Sequence, residues 1–180
     1  MLVAAPAAVA IRAAQDPPHR ENETLLAGLR PGRDTLPVAE KHLKTKYMTS
    51  DSHTGVKEWK DVCTGRAIQL ELDAKSVIQT VTITALSSNK GKCIDRHAEF
   101  LELKNWITGK GLFLGDPQDR VVELYGEPNS TGPSEKQGHA LELMYYQFDW
   151  AGSEVPQVME ILCDRETGKV AEITLAFPSL

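Results

Sequence analysis

Two neighbouring segments alternate apolar and polar residues with period two, and this alternation constrains the fold more than any other feature of the chain. In "AIQLELD", Ile68, Leu70 and Leu72 fall on one side and Gln69 and Glu71 on the other. In "VIQTVTITA", Val77, Val81 and Ile83 oppose Thr80, Thr82 and Thr84. That is the pattern of half-buried antiparallel strands, with one face on a core and the other in water. "VKEWKDVC", just upstream, reads as a third strand.

The second half repeats the theme. "ALELMYYQFDW" is rich in aromatic residues and predicts a strand. "QVMEILC" and "KVAEITLAF" predict two more, joined by "DRETG", whose Gly168 suits a hairpin loop. Ahead of them lies "GLFLGDPQDRVVELYGEPNS". Asp116 is a good N-cap, Pro117 suits the first turn, and Val121, Val122, Leu124 and Tyr125 give an apolar stripe. Gly126 and Pro128 supply the stop, so the spacing predicts a helix over 117–125. "NSTGPSEKQGH" then reads as a polar loop. In the first half, Asn22 is placed to cap a short helix through "ETLLAGL", and Thr35 to cap "LPVAEKHLKTKY" with Pro37 in its tolerant first turn.

Helical segment, capped helix, polar loop and three strands thus follow in the same order twice. The predicted fold class is α+β: two tandem helix-loop-helix plus antiparallel-sheet units, with sheets side by side and helices on one face. The divisions are 1–21, a signal-like segment and flexible tether; 22–86, the first unit; 87–96, a linker; and 97–180, the second unit. "HAEFLELKNW" would open the second unit as a helix, although "FLEL" also suits a strand.

Of 180 residues, 41% are hydrophobic and 25% charged, enough apolar material for a packed core. A net charge of −5, with no run of Lys or Arg, argues against a nucleic-acid partner. No segment has the roughly 18 apolar residues of a transmembrane span. "MLVAAPAAVA" is small and apolar and ends in an A-x-A cleavage pattern, although Arg12 is its first positive charge. It reads as the end of a secretory signal, which places the protein outside the cytoplasm, secreted or periplasmic; as a plain Ala-rich tail it would leave the protein cytoplasmic. In an oxidising compartment Cys63 and Cys93, flanking the same predicted sheet, form the candidate disulfide and Cys163 a buried thiol.

Catalytic signatures are sparse. The five histidines show no metal-ligand spacing, so no metal is expected. His97 near Cys93 is better explained by a disulfide cysteine beside a surface histidine than by a nucleophile pair. "TGKGLFLG" lacks the phosphate-loop pattern, and no serine sits in G-x-S-x-G. No cofactor is expected, and the chain is read as a non-enzyme.

"LGDPQDRVVELYGEP" resembles the short-helix signature of the SmpA/OmlA (BamE-like) superfamily. In that family a glycine, a polar cap, a valine-bearing helix and a terminal Gly-x-Pro precede a small antiparallel sheet. Gly115, Asp116, Val121, Val122, Gly126 and Pro128 carry the likeness. Two such units in one chain resemble the tandem arrangement of beta-lactamase inhibitory protein. The resemblance implies a habit of binding other proteins. Lipid anchoring does not follow, because the first cysteine, Cys63, lies well inside the predicted domain.

The expected function is a protein-binding, inhibitor-like module that presents a sheet surface to a protein partner; the alternatives are an envelope-assembly accessory and an enzyme whose residues converge from distant segments. "YYQFDW" places Tyr146, Phe148 and Trp150 on one strand face and Tyr145 on the other, and Trp59 belongs to the matching strand upstream. Trp59, Tyr146, Phe148 and Trp150 are the candidate binding residues if their row is exposed. Otherwise they are core. The helix-free side should be wet and lined by Thr, Gln and Glu.

Overall fold

The computed structural model describes residues 22–44, 48–49, 56–61, 64–86, 103–148 and 157–177. Cys63, Cys93, Trp150 and His97 lie outside the described residues, as do the signal-like segment and the expected linker. The elements are α1 (Leu36–Leu43), β1 (Met48–Thr49), β2 (Lys57–Asp61), β3 (Arg66–Leu72), β4 (Ile78–Thr84), a 3-10 turn (Leu103–Trp106), α2 (Gln118–Tyr125), β5 (Ser130–Lys136), β6 (His139–Phe148), β7 (Gln157–Asp164) and β8 (Val170–Ala176).

All the strands belong to one antiparallel sheet in the order β1-β2-β3-β4-β8-β7-β6-β5. This overturns the expected pair of tandem helix-loop-helix plus sheet units with their sheets side by side. The strands of the two halves meet directly, Val81 opposite Leu175 and Ile83 opposite Ile173, so a single sheet dominates, and among the described residues only two short α-helices accompany it. The expected helix after Asn22 is absent. Ala27 and Gly28 take positive φ values of 55° and 74°, and Leu26 and Leu29 bond each other across a tight turn. The backbone of this segment is spent on the 107–109 stretch instead, through Ala27 N–H to Ile107 O and Gly109 N–H to Leu25 O.

Both helices are shorter at their ends than the sequence suggests. α1 stops at Leu43 because Lys44 turns left-handed (φ 58°) and its N–H closes on Glu40 O. α2 begins after Pro117, and neither N-cap position makes a side-chain cap bond. Asp116 closes the preceding turn by accepting from Phe113 N–H at 2.9 Å.

The segment read as a loop, "STGPSEK", is strand β5. Gln137 and Gly138, at φ 53° and 79°, form the two-residue turn with doubly positive φ that matches strand twist. That turn makes Lys136 and His139 a hydrogen-bonded pair, and alternation then puts Pro133, opposite Glu142, where no ladder N–H is needed.

One core lies under the two helices. Leu26, Leu29, Ala39, Leu43, Val121 and Tyr125 pack on Trp59, Ile68, Leu70, Val81, Ile83, Tyr146, Phe148, Ile161 and Ile173. Where the β3–β4 register shifts beside Leu72, Ile78 rather than Val77 enters the core. A buried polar node ties the N-terminal segment to this core. Glu23 Oε1 accepts from Thr24 and Leu25 N–H at 2.9 and 3.0 Å. Its Oε2 accepts from Lys110 N–H at 3.0 Å and from the Tyr125 hydroxyl at 2.8 Å. The Thr108 and Tyr125 hydroxyls are 2.6 Å apart, and Thr108 Oγ1 also accepts from Leu112 N–H. Burial first, and then the Glu23 charge, raise the Tyr125 pKa above the ordinary tyrosine range.

Candidate binding face

Among the described residues both helices pack on one face of the sheet; the opposite face is open along part of its length, with Thr82, Thr84, Leu162 and Glu172 on it buried. Residues directly opposite on neighbouring strands share a face. Register therefore builds its rows. Glu58, Gln69, Thr82, Thr174, Glu160, Tyr145 and Ser130 form one unbroken line across β2, β3, β4, β8, β7, β6 and β5. Two contacts along it are made: Gln69 Nε2 donates to Glu58 Oε1 at 3.0 Å, and the Thr82 and Thr174 hydroxyls lie 2.9 Å apart. A flanking row runs Glu71, Thr80, Ala176, Val158, Gln147.

The other flanking row is partly apolar. Leu141, Leu162 and Ala171 form a second small cluster with Leu86, and Leu143 packs against it. Lys136 crosses this region to Glu172, its Nζ 2.6 and 2.8 Å from the two carboxylate oxygens. β5 and β8 are separated by β6 and β7, a distance of about 14 Å at ordinary strand spacing. Lysine and glutamate side chains do not close that gap across a flat sheet. The β5–β6 end is therefore curled toward the helix-free face, which makes that face a shallow trough.

The candidate aromatic residues are elsewhere. Trp59, Tyr146 and Phe148 are 1%, 0% and 1% exposed and lie in the helix-side core, so they form no surface patch. Tyr146 stacks on Phe148 (centroids 6.4 Å apart) and meets Tyr125 at a tilt, while its hydroxyl donates to Gly126 O. The cause is the sheet register: Tyr146 lies opposite Met159, whose side of β7 carries the core residue Ile161. Tyr145, one residue away, is the aromatic on the helix-free face and is half-buried.

Thr80, Thr82, Gln69 and Glu71 stand on this face as their alternation predicts. Glu160 and Thr174 were not singled out from sequence, although the alternation of "QVMEILC" and "AEITLA" carries the signal: each polar residue stands between two core residues. Cys163 is free and buried, and burial pushes its thiol up to about 11. His42 bonds to Ala27 O at 3.0 Å. Among the described residues no group of His, Cys, Asp and Glu is placed to hold a metal ion, and no helix is long and apolar enough to cross a membrane.

No protein-family model matches the sequence, and no curated protein is similar to it. Among solved structures, the chain is similar to a DUF4309 family protein from Bacillus subtilis, at 7% identity and a TM-score of 0.48, covering 84% of this chain and 83% of that one. It is also similar to a cysteine-rich secretory protein from Staphylococcus aureus, at 13% identity and a TM-score of 0.46. That match covers 87% of this chain and 48% of the other.

Proposed function

We propose that the protein is a non-catalytic binding module, working outside the cytoplasm, that takes a protein partner on the helix-free face of its sheet. The observation that carries this reading is the unbroken row from Glu58 to Ser130, polar across seven strands. Rigid, fully paired strands hold these side chains at fixed spacing, so little ordering entropy is lost when a partner settles on them. The aromatic contact is reassigned from Trp59, Tyr146 and Phe148 to Tyr145. The A-x-A pattern of the N-terminal segment and the resemblance of Gly115–Pro128 to the SmpA/OmlA motif support the compartment and the binding habit.

A photo-reactive amino acid placed at Gln147, exposed on this face, tests the reading against one placed at Val38, exposed on α1. The expected result is a discrete covalent adduct with an envelope or secreted protein from Gln147 alone. Equal adducts from both positions, or an adduct from Val38 only, would rule the face out.

A further inference from the structure

The geometry points to a partner segment of defined chemistry: an extended stretch carrying two basic side chains, lying across the strands in the trough. This rests on the binding-face reading above and adds the charge and spacing of the occupant.

The face bears four carboxylates and two ammonium groups on the strands. Both ammonium groups are already engaged, Lys60 with Glu58 at 3.4 Å and Lys136 with Glu172. Glu71 and Glu160 remain exposed and no described residue forms an ion pair with either. The face is thus acidic at two fixed points, with half-buried Thr80 and Thr174 between them and Thr82 buried, its hydroxyl paired with that of Thr174. Tyr145 stands directly opposite Glu160. A carboxylate beside a half-buried phenol ring suits a guanidinium or ammonium, which pairs with the acid while its stem or plane lies on the ring.

Spacing sets the register of the occupant. Glu71 on β3 and Glu160 on β7 are separated by β4 and β8 and offset by one row, roughly 16 Å between backbones at ordinary strand dimensions. Basic residues four apart on an extended chain span about 13 Å and point the same way. Lysine or arginine side chains reach the remainder. The middle residue of that five-residue span points the same way as the two basic ones, so a Thr there faces Thr80 and Thr174, while the residues on either side of it point away.

The test uses the full chain and a fluorescein-labelled peptide with the core Lys-Ser-Thr-Ser-Lys, followed by anisotropy at low and at physiological ionic strength. Its comparison peptides replace both Lys by Glu, or set the two Lys side by side. The protein variants are Glu71→Gln/Glu160→Gln and the charge-matched control Glu40→Gln/Glu166→Gln, whose positions lie off this face. The expected result is binding of the spaced-lysine peptide over both comparison peptides, weakened about tenfold in the Glu71/Glu160 variant and unchanged in the control, as two lost ion pairs predict. Equal weakening in the control, indifference to lysine spacing, or no binding overturns the inference. The Gln147 photo-adduct, measured in the Glu71/Glu160 variant, separates the two failures. An adduct that persists there leaves the binding face standing without its charge chemistry; a missing adduct even in the unaltered chain removes the face itself.

Discussion

The hydroxyl of Tyr125 donates to Glu23 Oε2 at 2.8 Å, across 102 residues of sequence. It fastens the start of the described chain to α2 from inside the core. Replacing Tyr125 by Phe keeps the ring and deletes this bond and the Thr108 contact, leaving Lys110 N–H as the donor to that oxygen. A hydrogen bond to a buried charged group contributes about 1.5–3 kcal/mol. The Phe variant should unfold at lower urea with an unchanged denaturant slope.

The same residue fixes an alkaline limit. Because the folded-state pKa of Tyr125 is raised, the native state holds that proton above about pH 10, where the unfolded chain releases it. Its contribution is therefore complete below about pH 10 and is lost as pH rises from there toward the folded value. Stability against pH should fall in that window for the native sequence and fall less for Tyr125→Phe. Parallel curves for the two would contradict the assignment.

Gly109 is required for space. A Cβ there would lie 2.5 Å from Glu23 Oε1 and 3.2 Å from Leu25 Cβ. Gly109→Ala should cost about 1–3 kcal/mol, the usual range for overpacking, read from thermal unfolding. In Glu23→Ala the cost of Gly109→Ala should shrink, and a double-mutant cycle reads that coupling.

Tyr145 and Tyr146 are adjacent in sequence and opposite in consequence. Tyr146→Ala empties a fully buried site and should cost about 3–5 kcal/mol. Tyr145→Ala should leave stability nearly unchanged while reducing the yield of the Gln147 photo-adduct. The reverse pattern would put the face assignment in error.

The Lys136–Glu172 pair holds the trough curled, with the Glu172 side chain only 6% exposed. Lys136→Ala strands that carboxylate and should destabilise by about 1–3 kcal/mol. Lys136→Arg, which keeps the charge, should recover most of it.

Much of this fold is legible in the sequence. β3, β4, β7 and β8 each alternate core residues with polar ones, so Leu70 beside Gln69 or Ile161 beside Glu160 announces both the strand and its direction. β5 was hidden. Gly132 and Pro133 argue against a strand, and its pairing depends on the Gln137–Gly138 turn, whose conformation a Gln does not advertise. The Asn22 helix does not form because tertiary bonds from Ala27 N–H to Ile107 O and from Gly109 N–H to Leu25 O outweigh a weak local propensity. Alternation alone puts Tyr146 and Phe148 on one face of β6, and both lie in the helix-side core. Which face that was could not be read locally, since it is fixed by pairing with β7 and by where α2 packs.

Pro133 sits mid-way along the outermost strand, in a position whose backbone points away from β6. A free strand edge is ordinarily a template on which further chains add, and fibrils grow in that way. An incoming chain would find the central donor of this edge missing and a bulky ring beside it. The same proline that disguises β5 in the sequence therefore guards this edge of the sheet against edge-to-edge polymerisation at high concentration. Pro133→Thr, which restores the donor, should raise thioflavin-positive assembly while leaving the monomer's unfolding midpoint close to that of the native chain.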